Sequence, residues 1–108
     1  KNLVMENTSV QIARTILNQI KNLDRNALMA WGANSFCAVS KSKTRVGGLS
    51  FQVNGLTHNG WVTIELDWLD TYTVIFTNRN RDVVKTCEGV YCDMLVKVID
   101  YIEGKHAA

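Results

Sequence analysis

The sequence predicts an α+β domain: a four- to five-stranded antiparallel meander sheet with N- and C-terminal helices packed on one face. Three observations carry this. Between Leu49 and Thr77, apolar and polar residues alternate with period two in three segments, the pattern of strands that bury one face. Asn-Gly and Asp-rich turns separate those segments. On both sides of the block, apolar residues recur at helical spacing.

The chain has 108 residues, 46% hydrophobic and 20% charged. That suits one globular domain over 1–108, with residues 1–6 and 104–108 expected as flexible ends. Met5 followed by Glu-Asn-Thr-Ser reads as a native start, with Lys1 to Val4 as added residues.

The first helix is expected to begin near Thr8 or Ser9, where Thr8 and Gln11 fit a capping box. Val10, Ala13, Ile16, Leu17 and Ile20 form its apolar stripe, and Gln11, Arg14, Asn18 and Lys21 its wet side. Leu23 and Asp24 close it. Asp24 then caps a short turn from Ala27 to Trp31, stopped by Gly32. Ser35 to Ser40 reads as a first strand, and Lys41 to Gly48 as a basic loop. Three alternating strands follow, then a polar turn over Asn78 to Asp82 and a short fifth strand over Val83 to Cys87. The last helix is placed at Val90 to Glu103, with Tyr91, Met94, Leu95, Val98 and Ile102 on one face and Asp93 in its first turn.

Register follows from the pattern. Pairing Leu66 with Tyr72 also pairs Ile64 with Val74 and Val62 with Phe76, so core residues meet core residues. Pairing Asn54 with Asn59 sets Phe51 opposite Val62 and Gln52 opposite Trp61. Both helices then cover the Leu49/Phe51/Val62/Ile64/Val74/Phe76 side. The other side carries Ser50, Gln52, Trp61, Thr63, Glu65, Thr73, Ile75 and Thr77, and is left open.

Several functions lack their residues. No nucleophile elbow, His-Glu-x-x-His, phosphate-cradling loop or dinucleotide fingerprint occurs, so no catalytic residue and no cofactor are assigned. Glu65, Asp67 and Asp70 cluster at one hairpin as a candidate acid/base group, but Asp67 and Asp70 are better read as turn formers. Cys87 and Cys92 lack a second ligand pair, with His58 and His106 far away, so no metal is assigned. Three cysteines without paired spacing suggest free thiols and a cytoplasmic setting. No apolar run is long enough to span a bilayer and no signal peptide is evident, so no membrane partner is expected.

Binding remains. Trp61 shares the open side with Ile75 and threonines, as interface anchors do; the alternative is simple cross-strand stiffening. The expected contact set is Gln52, Trp61, Thr63, Ile75 and Thr77, for a protein partner or a second copy of the chain. Two basic loops, Lys41/Lys43/Arg45 and Arg79/Arg81/Lys85, lie at opposite ends of the meander. The second, with His58, is the alternative nucleic-acid site, although split patches suit a phosphate-tracking groove poorly.

In outline, the helix–strands–helix order resembles the double-stranded RNA-binding domain. That family starts its second helix with lysines, whereas Glu88-Gly89-Val90-Tyr91-Cys92-Asp93 is acidic here. Ala30-Trp31-Gly32-Ala33, Gly48-Leu49-Ser50-Phe51, Gly60-Trp61-Val62-Thr63-Ile64 and Asp70-Thr71-Tyr72-Thr73-Val74 resemble segments of small uncharacterised single-domain proteins of gut bacteria and their phages or mobile elements. The resemblance spans about Ile16 to Glu103 and brings no activity or catalytic residue. It implies a binding role, for example as an inhibitor of host defence or an accessory protein.

Overall fold

Helix α1 (Asn2–Leu23) and the single turn α2 (Ala27–Ala30) precede five strands: β1 (Asn34–Val39), β2 (Gly47–Asn54), β3 (Asn59–Leu66), β4 (Tyr72–Thr77) and β5 (Val83–Val90). A 3-10 turn over Cys92–Met94 leads into α3 (Leu95–Ile99). The computed structural model describes residues 2–55 and 58–100, with side chains from residue 9 onward. The strands form one antiparallel sheet in the order β1-β2-β3-β4-β5, the α+β meander expected from the alternation.

The central register is the one the hydrophobic pattern dictates. Asn54 pairs with Asn59, Phe51 with Val62, Val62 with Phe76, Ile64 with Val74 and Leu66 with Tyr72. A slip of one residue would turn every one of these side chains to the wrong face. Phe51, Val62, Ile64, Val74 and Phe76 are fully buried with Ile16 and Ile20 of α1, Trp31, and Leu95 and Ile99 of α3. Trp31 lies parallel to Phe51, with ring centroids 6.3 Å apart, and its Nε1 donates to Asp100 Oδ1 at 3.1 Å. That bond ties the end of α2 to the end of α3. The polar edge of a large buried ring therefore has its partner.

Gly60, at φ +150°, is required by space as well as by backbone. A Cβ there would collide with the Thr77 carbonyl oxygen.

The structure differs from the sequence expectation at four points. First, α1 is already helical at Asn2, so Thr8 lies inside the helix rather than at its start. Residues 2–7 contain neither Gly nor Pro, and extending a nucleated helix is cheap. Second, Val10 is 42% exposed rather than part of the buried stripe, because the stripe centres on Ala13, Ile16 and Ile20. Third, β1 begins one residue earlier than expected, at Asn34, and β5 continues beyond Cys87 to Val90.

Fourth, the segment expected to open the last helix at Val90 belongs to β5 instead. Val90 is buried opposite Tyr72, and Gly89 at φ +64° sits where the β4–β5 register shifts. The helix phase moves accordingly. Leu95 and Ile99, four apart, face the core, while Tyr91 (61%) and Met94 (41%) are exposed. The expected residues Ile102, Glu103 and Gly104 lie outside the described range. Among the described residues, no helix is long and apolar enough to cross a membrane.

Candidate interaction face

Residues directly opposite one another on antiparallel strands share a face, so the register orders the side of the sheet away from the helices into rows. One row is Asn34, Gln52, Trp61, Thr77 and Val83. The next is Cys37, Ser50, Thr63, Ile75 and Thr86. Gln52, Trp61, Thr63, Ile75 and Thr77 are thus neighbours across β2, β3 and β4, and each is half-exposed. Thr63 Oγ1 and Ser50 Oγ are 3.4 Å apart. No described helix packs on these rows.

The two ends of the face carry charge. At one end, Glu65 stands in a row with Gly48 and Thr73. Arg45 Nη1 is 3.0 Å from Glu65 Oε2, and Arg45 Nε donates to the Ser40 carbonyl at 2.8 Å. Half-exposed as it is, that ion pair contributes only about 0.5 kcal/mol. At the other end, the Arg81 guanidinium lies 4.0 Å from the centroid of the Trp61 ring.

The turn chemistry explains how Arg81 gets there. Asn78 N donates to Asp82 O and Arg81 N to Asn78 O, both at 2.9 Å, while Asn78 Oδ1 accepts from the amides of Asn80 and Asp82. The β3–β4 turn repeats the scheme. Asp67 N donates to Thr71 O and Asp70 N to Asp67 O, while Asp67 Oδ1 accepts from the amides of Leu69 and Thr71. Each turn closes on a residue in the left-handed region, Asp70 at φ +70° and Arg81 at φ +71°. Aspartate tolerates that conformation, whereas arginine holds it at a cost of about 1 kcal/mol.

Asp67 is the turn former its sequence context suggests. The Thr71 hydroxyl and amide, with the Leu69 amide, hold its carboxyl below the ordinary range. A carboxylate stabilised in its charged form is a poor proton donor. Beyond this hairpin, a cavity of about 270 Å3 is lined by Gln19, Leu66, Asp70, Tyr72, Tyr91 and Cys92. In it, the Tyr72 hydroxyl donates to Gln19 Oε1 at 2.8 Å, and burial raises the Tyr72 pKa. Among the described residues, no three His, Cys, Asp or Glu side chains come together as metal ligands; His106 lies outside the described range.

The four residues of the alternative nucleic-acid site do not all share one face of the sheet. Arg79 is exposed in the turn, and Arg81 lies on Trp61. Lys85 pairs with Phe76 and so belongs to the helix side of the sheet. His58 is only 4% exposed, its ring edge-on to Phe76 at 5.4 Å and its Nε2 3.4 Å from the Trp61 carbonyl oxygen. His58 and Lys85 thus both lie beside Phe76, whereas Arg81 lies on Trp61 across the sheet. In the other basic loop, Lys41 Nζ is 5.5 Å from the Trp68 ring, and Trp68 Nε1 donates to Lys43 O.

The contact of Arg81 with Trp61 joins residues that the sequence assigns to rival sites. The signal for it is the register: Trp61 opposes Thr77, and the turn carrying Arg81 begins at the next residue. No family model, curated protein or solved structure matches this chain.

Proposed function

We propose that this protein acts by binding another protein through the open face of its sheet, with Trp61 and Ile75 at the centre and Gln52, Thr63 and Thr77 around them. One observation carries the reading: these five side chains stand half-exposed side by side, while the opposite face is buried beneath α1 and α3. Trp and Arg are the residue types that most often dominate binding energy, and Arg81 is held on Trp61 before any partner arrives. The resemblance to small proteins of gut bacteria and their phages or mobile elements supports a narrower role as an inhibitor or accessory protein.

The test is capture from a lysate of the source cell by the wild type and by Trp61→Arg and Trp68→Ser variants. A partner retained by the wild type and Trp68→Ser, and lost by Trp61→Arg, supports the reading. Equal retention by all three sinks it. Sedimentation over a wide concentration range separates a foreign partner from a second copy of the chain.

A further inference from the structure

The two edges of the sheet are built differently. β5 carries Lys85 and Glu88 and departs from regular register twice, which are common ways of blunting an edge against further pairing. β1, Asn-Ser-Phe-Cys-Ala-Val, contains no charged residue. Its one irregularity lies between Asn34 and Cys37, and Cys37, Ala38 and Val39 then pair regularly with Ser50, Leu49 and Gly48. Alternate residues of such an edge turn their N–H and C=O groups outward.

An apolar groove of about 260 Å3 runs beside this edge, between β1 and α1. Phe36 and Ala38 form one wall, Val10, Ala13 and Leu17 the other, and Leu49 lies between. Phe36 is 45% exposed and Val10 42% exposed. Among the described residues lining the groove, Arg14 alone is charged.

We propose that the β1 edge and this groove take an extended segment of a partner protein as a sixth strand. Backbone bonds to β1 hold it. Its alternate apolar side chains enter the groove, and a carboxylate meets Arg14. This surface borders the open face at Asn34 and Cys37 but uses none of Gln52, Trp61, Thr63, Ile75 and Thr77.

The test pans a displayed library of random decapeptides against the full chain, with the Val10→Glu variant as the reference. Enrichment of peptides with alternating apolar residues and an acidic position supports the proposal. A synthetic copy of an enriched peptide is expected to bind Arg14→Glu at least about tenfold more weakly, at unchanged thermal stability. Trp61→Arg is expected to leave its binding intact. Methylating the peptide backbone nitrogens that face β1 should abolish binding. No enrichment over Val10→Glu, or indifference to backbone methylation, overturns the proposal. A dimer of the wild type that Val10→Glu dissociates also overturns it, since a second copy then occupies the edge.

Discussion

Arg81 covers the Trp61 ring at 4.0 Å from a backbone conformation that arginine rarely adopts. Glycine or asparagine at that turn position would remove the strain but leave the ring bare. Arg81→Gly therefore sets two effects of about 1 kcal/mol against each other, strain relief and the lost cation–π contact. Denaturant unfolding should show a net change within about 1 kcal/mol. Trp61 emission should shift as the ring loses its cover, and partner binding should weaken. A large stability loss would mean that Arg81 is structural.

Gly60→Ala should be far more damaging. The added Cβ meets the Thr77 carbonyl oxygen between β3 and β4, at a backbone angle that alanine disfavours. A loss of about 3–5 kcal/mol is expected, visible as a collapse of the thermal transition. A mild effect would contradict the close approach of the two strands.

Two groups give stability a dependence on pH. The folded-state pKa of Asp67 is depressed, so its contribution is present above the unfolded value near 3.8 and lost as pH falls through the folded one. Asp67→Asn should flatten the acid limb of a Tm-against-pH curve. Tyr72 has the opposite sign. Its folded-state pKa is raised, mainly by burial, so its contribution holds below pH 10 and declines as pH rises further. Tyr72→Phe should remove that alkaline decline, at a cost of about 1 kcal/mol at neutral pH for the lost bond to Gln19.

Much of the sheet is legible in the sequence because period-two patterning is strict where one face is buried: pairing Leu66 with Tyr72 and Asn54 with Asn59 aligns three strands at once. Helix phase is less legible. Val90 and Tyr91 fit a helical stripe as well as a strand end, and only the pairing of Val90 with Tyr72 decides between them. His58 sits beside a turn, where sequence suggests exposure, yet it packs on Phe76. Arg81 reads as a solvated charge because a turn's backbone conformation, which aims the side chain, leaves little mark on residue type outside Gly, Asn and Asp.

Trp61→Arg tests the role of the open face at its centre. Trp61 is half-exposed, so the variant should fold, with a stability loss of about 1–2 kcal/mol from the lost cross-strand packing and the lost contact with Arg81. The most direct measurement is the affinity of the purified partner for the wild type, Trp61→Arg and Trp68→Ser, each checked for folding. Binding through the open face predicts a loss of at least about 30-fold for Trp61→Arg, equivalent to about 2 kcal/mol, and wild-type affinity for Trp68→Ser. Wild-type affinity for Trp61→Arg would contradict it.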